Sequence, residues 1–234
     1  MKLNILGADG NLINLNITDN NAEKHLNHPT SYINVIVNEQ INRDKIYDFY
    51  FNGKSNLTII DAGANVGMFS IHCSSVSKII YSIEPTPSHF EILKSITKQF
   101  NNIKPLNCAI WKENTKLEFY EIGNNSTANS AVLSGGASRK ILVDGKTIKT
   151  IIEENNIAHV DLLKMDIEGA EFEILTEDFI KYCYNVIDNM FIEVHPVHGY
   201  CGDFNSCQNR VKELFEKNNY KVKYNGNDGL FIYK

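Results

Sequence analysis

The fold prediction rests on one stretch of the chain, Thr58-Ile59-Ile60-Asp61-Ala62-Gly63-Ala64-Asn65-Val66-Gly67-Met68-Phe69-Ser70. It reads as a short apolar strand, an acidic residue, a turn with two glycines, and the first turn of a helix. A strand that enters a helix through a tight glycine turn presents bare backbone N–H groups to a ligand. In open α/β sheets such turns lie at the carboxyl ends of the strands, where nucleotide-like ligands bind. The stretch therefore predicts a nucleotide-binding α/β fold.

Strands and helices alternate along most of the chain after residue 56. Runs of apolar and β-branched residues predict the strands, and apolar residues spaced by three and four predict the helices. Ser88 followed by Glu91 predicts a capping box at the start of one helix. The predicted strands cover residues 57–60, 78–83, 103–109, 160–165 and 189–194, the helices cover 66–75, 88–100, 148–155, 170–182 and 206–218, and residues 220–224 and 230–233 form a closing hairpin. This order predicts an α/β protein whose sheet is mostly parallel with an antiparallel last strand.

Two regions lie outside this alternation. Residues 1–56 contain Asp9-Gly10, a hairpin signal between apolar runs, then an alternating stretch at 32–37 and a candidate short helix at 42–51. We expect them to form a small β-rich N-terminal extension packed on a core domain of residues 57–234. Residues 111–150 are an excursion from the core, with two strands, a polar loop and a helix. Active-site covers are commonly built from such insertions.

Composition and charge exclude several classes of protein. The chain has 234 residues, enough for one domain with a sizeable core. A net charge of −5 without any run of basic residues argues against a surface that binds nucleic acid. No apolar stretch approaches the ~20 residues of a membrane span, and the first residues are too soon polar for a signal peptide. We therefore expect a cytoplasmic protein that binds neither nucleic acid nor a membrane.

The cysteines bear on redox chemistry and on metal binding. There are five of them, at positions Cys73, Cys108, Cys183, Cys201 and Cys207. An odd number without a C-x-x-C pair predicts free thiols in a reducing compartment. In an alternative interpretation, the last two join His195 and His198 as four zinc ligands within one loop. Their spacing, H-x₂-H-x₂-C-x₅-C, matches no common zinc finger, so we predict no metal.

The spacing within the turn indicates which ligand it holds. It reads Asp61-x-Gly63-x-Asn65-x-Gly67, whereas the dinucleotide fingerprint G-x-G-x-x-G has a glycine where Asn65 stands. The carboxylate of Asp61 disfavours a pyrophosphate and favours a cationic amino group. Glu84, 23 residues later, can accept hydrogen bonds from both hydroxyls of a ribose. A ribose with an ammonium group and no pyrophosphate describes S-adenosylmethionine better than NAD. In the alternative, both carboxylates are ordinary solvated strand ends.

Four motifs in this order resemble the FkbM-type family of S-adenosylmethionine-dependent methyltransferases, which are class I and Rossmann-like. The motifs are Ile60-Asp61-Ala62-Gly63-Ala64-Asn65-Val66-Gly67, Ile83-Glu84-Pro85, Leu163-Lys164-Met165-Asp166-Ile167-Glu168-Gly169-Ala170-Glu171 and Ile192-Glu193-Val194-His195. The resemblance runs from about Leu57 to Val197, and residues 1–56 add nothing to it. It implies methyl transfer to a hydroxyl of a sugar or another small molecule, including a glycan, rather than to a macromolecule such as nucleic acid.

The resemblance also implies where the cofactor lies. The turn would surround its methionine part, Glu84 would bind its ribose, and the end of the third strand would lie against its adenine. Many methyltransferases have an acidic residue beside the adenine, where this chain has Asn107 and Cys108. The implied cofactor-binding residues are Asp61, Gly63, Asn65, Gly67, Glu84, Cys108, Ala109 and Asp166.

The catalytic candidates are Asp166, Glu193 and His195. Asp166 ends the fourth strand of the core, where the transferable methyl group is expected. Glu193 and His195 are alternate residues at the end of the next strand, so they share one side of it. A histidine with an ordinary pKa of about 6.5 accepts a proton at neutral pH, and a carboxylate can orient it. His195 or Asp166 is the candidate base and Glu193 a candidate substrate contact; alternatively, His195 is structural.

Glu171 receives a different interpretation. It lies in the first turn of a predicted helix, where a carboxylate balances the helix dipole and caps free N–H groups. We expect it to point away from the end of the strand and to have no part in the reaction.

Together these patterns predict an S-adenosylmethionine-dependent O-methyltransferase. Two other functions stay open: a nicotinamide-dependent oxidoreductase on a similar sheet, and a cofactor-binding protein without turnover. The acceptor is expected to contact the 111–150 excursion, the N-terminal extension and the 196–207 loop. These regions contain no motif that identifies it.

Overall fold

The computed structural model describes residues 2–26, 47–121, 129–132, 139–197, 200–225 and 229–234. Its strands fall into three sheets, of which the largest has seven strands. The described strands are β1 Lys2–Leu6, β2 Leu12–Asn16, β3 Leu57–Ala62, β4 Ser77–Ile83, β5 Ile103–Leu106, β6 Ala109–Ile110, β7 Thr115–Glu121, β8 Arg139–Lys146, β9 Val160–Met165, β10 Ile187–Glu193, β11 Lys221–Asn225 and β12 Gly229–Tyr233.

The large sheet has the strand order β11-β12-β10-β9-β3-β4-β5. Its neighbours from β10 to β5 pair in parallel, and β12 pairs antiparallel with both β10 and β11. The predicted mostly parallel sheet with an antiparallel last strand is confirmed. From β3 the chain moves outward through β4 and β5, then returns to place β9 and β10 on the other side of β3. The order of strands therefore reverses between β3 and β9, which is where open α/β sheets bind ligands.

The two strands at this reversal are apolar on both faces. Ile59 and Ile60 of β3 and Leu163 of β9 have no exposed surface, because helices cover both sides of the sheet. This burial explains why both strands are legible in the sequence as continuous apolar runs. It also makes the polar residues within them, Asp61 and Lys164, conspicuous.

The described helices are α1 Asn20–Leu26, α2 Asp48–Phe51, α3 Met68–Cys73, α4 Pro87–Thr97, α5 Ile148–Glu154, α6 Glu171–Ile174, α7 Glu177–Val186 and α8 Phe204–Glu216. The capping box predicted at Ser88 is wrong. Helix α4 begins one residue earlier, at Pro87, whose missing N–H needs no partner in the first turn, and its N-cap residue Thr86 makes no side-chain capping bond.

The single helix predicted over 170–182 is also wrong, because it is broken into α6 and α7. Leu175 leaves the helical region with ψ of 62°, and the hydroxyl of Thr176 accepts a hydrogen bond from the N–H of Phe179. Thr176 is thus the N-cap of a second helix. The break leaves α6 with four residues, so its position depends on the loop that precedes it.

The 111–150 excursion forms most of a small separate sheet. Strand β8 pairs antiparallel with β7 and parallel with β6, so the predicted strand 103–109 is wrong at its end: β5 stops at Leu106 and β6 joins the small sheet. Ser130 continues this sheet through a backbone bridge to Tyr120. The polar loop predicted between the strands lies partly outside the described residues.

The N-terminal hairpin predicted at Asp9-Gly10 is present as β1 and β2. Ile5 and Leu15 are buried in the same apolar cluster as Ile71 of α3. Hydrogen bonds reinforce this contact, since the N–H of Ala8 donates to the carbonyl of His72. Of the predicted helix at 42–51, the structure describes α2. The predicted strand at 32–37 lies outside the described residues.

The prediction of five free thiols is wrong for two of them. Cys201 and Cys207 form a disulfide, with their Cα atoms 5.3 Å apart, because the start of α8 folds back on the loop after β10. Cys73, Cys108 and Cys183 are free and buried. The pairing also removes both cysteines from the alternative zinc set, whose His198 lies outside the described residues. Among the described helices, the longest has 13 residues, and none is long and apolar enough to cross a membrane.

Alkylation of the denatured protein tests this pairing. Without reduction we expect three modified cysteines by mass spectrometry, and five after reduction, because the disulfide protects two. In a Cys201→Ser variant, reduction should add no further modified residue. Five modified cysteines in the unreduced wild-type protein would contradict the disulfide.

Candidate active site

The turns after β3 and β9 meet at the reversal of strand order. Asp61 and Lys164 are register partners on the two strands, and the N–H of Asp166 donates to the carbonyl of Ala62. Gly63 has φ of +79°, and a Cβ placed on it would lie 1.7 Å from the carbonyl oxygen of Asp166. The glycine is therefore required both by its own conformation and by the neighbouring backbone.

The backbone N–H groups of the first turn are not bare, contrary to expectation. Gly63 and Ala64 both donate to the carbonyl of Ile83, and Asn65 donates to the carboxylate of Glu84 at 2.9 Å. Asn65 adopts φ of +52°, which asparagine tolerates better than most residues. These three N–H groups thus fasten the turn to the end of β4.

A cleft opens beside this turn. Five of the predicted site residues line it: Gly63, Asn65, Glu84, Ala109 and Asp166. The other five do not: Asp61, Gly67, Cys108, Glu193 and His195. Further lining residues come from the excursion and the N-terminal extension, namely Phe119, Asn129, Ala131 and Tyr47.

Lys164, which lines the cleft, lies between two carboxylates. Its ammonium is 3.6 Å from Oδ1 of Asp61 and 3.1 Å from Oδ2 of Asp166, and the side chain is almost fully buried. Burial works to lower the pKa of Lys164, but the charges of Asp166 and Asp61 outweigh it and raise this pKa above its usual range. Burial raises the pKa of Asp61, against the pull of Lys164 and of a hydrogen bond from Ser70. Asp61 is therefore a buried ion-pair partner of Lys164 below the turn.

Glu84 is the polar group at the opposite side of the cleft. One carboxylate oxygen accepts from the N–H of Thr86 at 2.8 Å, and the other accepts from Asn65. Burial raises the pKa of Glu84 to about 7, despite these hydrogen bonds. A carboxylate has about four lone-pair sites, and the side chain of Thr86 also hydrogen-bonds to this one. A further acceptor position therefore remains, which suits a hydroxyl donor.

His195 lies one layer behind the cleft, among four carboxylates. Its Nδ1 donates to Glu171 at 3.0 Å, while Nε2 is 3.4 Å from Glu168, 3.8 Å from Glu193 and 3.9 Å from Asp166. Burial lowers the pKa of His195, but the hydrogen bond to Glu171 and the surrounding negative charges raise it to about 10. At neutral pH this side chain is an imidazolium, which is not a free base.

The expectation that Glu171 points away from the strand end is wrong. Its side chain is fully buried, and one oxygen accepts from both His195 and the N–H of Ile167. The reason is the short loop after β9, which turns α6 back so that its first residue faces the strand end. Glu171 does cap an N–H group, as expected, but it also fixes the orientation of His195.

A metal at this cluster would meet two resident cations. Ligand atoms of Asp166, Glu193 and His195 lie within 4.8 Å of one another, which is metal-site spacing. However, the imidazolium has no lone pair to offer, and Lys164 already pairs with Asp166. We assign no metal ligand here.

Comparison with a family model identifies the family of this chain. A model of the methyltransferase FkbM domain matches residues 61–222, from the turn after β3 into β11. The chain belongs to the FkbM methyltransferase family. The cofactor of this family is S-adenosylmethionine.

Two proteins named as methyltransferases are similar to this chain. Methyltransferase sdnD of Sordaria araneosa is 27% identical over 172 residues, which cover 58% of this chain and 66% of that protein. Methyltransferase 1 of Beauveria bassiana is 25% identical over 209 residues, covering 80% of each. This chain thus spans about two thirds of the length of the first relative.

Solved structures give weaker likenesses. The fibrillarin pre-rRNA processing protein of Methanococcus jannaschii matches with a TM-score of 0.49 and 17% identity, over 77% of this chain and 66% of that one. Aeropyrum pernix fibrillarin with natively bound S-adenosylmethionine matches with a TM-score of 0.48 and 13% identity, over 96% of this chain and 89% of that one. The fold assignment for this FkbM methyltransferase rests on its own strand order.

Sequence reasoning missed three residues of the site: Lys164, Glu168 and, in its role, Glu171. Lys164 had a legible signal, because a charged residue within an apolar central strand requires a buried partner. Glu168 had one in the glycine that follows it, which marks an unusual turn. Their mutual distances depend on the conformation of that turn, which the spacing alone does not determine.

Replacement of Gly63 by alanine tests the contact between the two turns. We expect Gly63→Ala to lose about 3 kcal/mol of stability or to fail to fold, since the Cβ collides with the backbone of Asp166. Gly10→Ala is the matched control: φ is +83° there too, but nothing lies within 4 Å of the added Cβ. It should lose only about 1 kcal/mol in denaturant unfolding. Equal losses in both variants would show that the close approach is unimportant.

Proposed function

We propose that this FkbM methyltransferase transfers the methyl group of S-adenosylmethionine to a hydroxyl of a sugar or another small molecule. The observation that carries the proposal is the cleft at the reversal of strand order, with the Glu84 carboxylate at one side and Asp166 at the other. Family membership supports methyl transfer. It also sets aside the nicotinamide alternative.

The cleft fits the proposed cofactor in its polar groups. Glu84 keeps an acceptor position for a ribose hydroxyl, and the apolar Ile110 and Ala109 also line the cleft. Asn65 and Gly63 line the turn where the methionine part would lie. Asp61, Gly67 and Cys108 act from behind this surface, so their contribution is to the shape of the turn and of the cleft wall.

When bound, the cofactor supplies a methyl group on a sulfonium, which is already activated for transfer. The chain then needs to align the acceptor hydroxyl and to remove its proton. Alignment can contribute more than the base, because a positioned base is worth about 10²–10⁴-fold. Asp166 lines the end of the cleft where the methyl group would be transferred. His195 lies behind Asp166 and stabilises its negative charge, and Glu193 lies beside His195.

The acceptor side of the proposal rests on the two added regions. Tyr47 reaches the cleft from the N-terminal extension, and Phe119, Asn129 and Ala131 reach it from the excursion. Aromatic and amide side chains of this kind suit the apolar faces and hydroxyls of a sugar ring. We therefore include a small-molecule or glycan acceptor in the proposal, together with a cytoplasmic location.

Calorimetry with S-adenosylhomocysteine tests the cofactor site. We expect the wild-type protein to bind S-adenosylhomocysteine and not to bind NAD. Glu84→Gln should weaken binding by about 10- to 100-fold, because the lost hydrogen bonds to a charged acceptor are worth about 1.5–3 kcal/mol. The wild-type affinity should also fall as the pH drops below about 7, where Glu84 takes up a proton. This pH dependence should be absent from Glu84→Gln.

Glu91→Gln is the matched control, because Glu91 lies on α4 and pairs with Lys94 at the surface. Its affinity should equal that of the wild type. The site assignment fails if Glu84→Gln binds S-adenosylhomocysteine as tightly as the control does. Binding of NAD with no binding of S-adenosylhomocysteine would restore the oxidoreductase hypothesis.

A further inference from the structure

Two carboxylates of the His195 cluster have no part yet in the proposed function: Glu168 and Glu171. Glu168 lines the cleft, as does Asp166, whereas His195, Glu171 and Glu193 do not. The side chain of Glu168 is about one-fifth exposed, so it reaches the cleft without being open to bulk solvent. Of the carboxylates around His195, Glu168 and Asp166 therefore have access to a bound acceptor.

The backbone at Glu168 is held in an unusual conformation. Its φ is +55°, in the left-handed region that residues with a Cβ seldom occupy, and Gly169 follows with φ of +96°. Such a conformation costs of order 1 kcal/mol or more and persists where the surrounding structure imposes it, most often at functional sites. Here the hydroxyl of Ser130, from the excursion, donates to the Glu168 carbonyl at 2.6 Å. In this backbone conformation, Glu168 lines the cleft.

The groups facing Glu168 set its charge. Burial and the negative charge of Asp166 raise the pKa of Glu168 to about 7, while His195 and Lys164 work in the opposite direction and Glu171 adds to the rise. A carboxyl with this pKa is half ionised at neutral pH and is a stronger base than an ordinary glutamate. His195 is protonated over the same range. The hydrogen bond from its Nδ1 to the buried Glu171 fixes the ring so that Nε2–H faces Glu168.

We infer that Glu168 is the general base of this methyltransferase and that Glu171 and His195 are its positioning residues. In the step, the acceptor oxygen bonds to the methyl carbon as the carbon–sulfur bond breaks with its electron pair on sulfur. The hydroxyl proton passes to the Glu168 carboxylate. The products are a methyl ether, S-adenosylhomocysteine and a protonated Glu168, so charge and atoms balance. The imidazolium of His195 holds the carboxylate in place and takes no proton.

This inference rests on the proposed function, and its first test needs no acceptor. NMR of protein with ¹³C-labelled glutamate carboxyls should show two carboxyls that titrate near pH 7, those of Glu84 and Glu168. The Glu168→Gln variant should lose one, and Glu84→Gln the other. The ring nitrogens of His195 should report an imidazolium at pH 8 in the wild type and a lower pKa in Glu171→Gln. Two titrations that both persist in Glu168→Gln would overturn the assignment.

The second test measures turnover as S-adenosylhomocysteine release against a panel of sugar and small-molecule hydroxyls. Saturating S-adenosylmethionine removes the contribution of Glu84 to the pH profile. Under that condition we expect wild-type kcat/KM for the acceptor to rise with pH through about 7, and Glu168→Gln to lose about 10²–10⁴-fold with that pH dependence removed. Glu171→Gln should lower kcat more than it raises KM. Glu177→Gln, at the start of α7 and paired with Lys181 and Lys217 at the surface, is the control and should match the wild type.

Calorimetry keeps the two claims distinct. Glu168→Gln should bind S-adenosylhomocysteine within about twofold of the wild type, because Glu168 is assigned to the acceptor side. Failure of the wild type to bind it would overturn the proposed function. Normal binding with an unchanged pH profile in Glu168→Gln, or a profile abolished by Asp166→Asn alone, would overturn only the assignment of the base. So would stoichiometric divalent metal bound at Asp166 in the purified protein.

Discussion

The ammonium of Lys164 sits in the interior of the sheet, and the geometry of the site depends on how that charge is balanced. An unpaired ammonium at this depth would be prohibitively costly, so the carboxylates of Asp61 and Asp166 must approach it from two strands. Their approach brings the ends of β3 and β9 into hydrogen-bonded contact and leaves no space for a side chain at Gly63. The two turns that form the cleft are thus held together by one buried cation.

A second network adjoins the first, and in it the carboxylates outnumber the cation by a wider margin. Four carboxylates share one imidazolium, that of His195, and Asp166 belongs to both networks. Because negative charge is in excess, the proton stays on the histidine, while Glu168 gives up its own only near neutral pH. Charge balance thus assigns different roles to chemically similar groups. Buried Glu171 orients a ring, and half-buried Glu168 faces the cleft.

The central sheet was predictable because its strands are buried on both faces and read as apolar runs, as in residues 160–165. The turn after β3 was predictable because Gly63 and Asn65 mark a left-handed backbone. The division of one helix at Thr176 was missed, since apolar spacing continues across the break and a single capping hydroxyl decides it. The direction in which the Glu171 side chain points was missed for a related reason. It depends on the backbone conformation of Glu168, which the periodicity of the sequence does not indicate. Likewise, the Cys201–Cys207 bond follows from a folded loop and not from a cysteine count.

The N-terminal hairpin has a consequence for how this chain acquires its structure during synthesis. Leu6 accepts a hydrogen bond from a histidine 66 positions further along, and Ile5 is buried against the helix that carries it. A two-stranded hairpin alone is marginal in water, so β1 and β2 have no stable place to dock until α3 and the strand before it have left the ribosome. The hairpin is synthesised early, but it packs on the core only after α3 has been synthesised. At synthesis rates of about 5–20 residues per second, the apolar side chains of the hairpin therefore stay unpacked for several seconds.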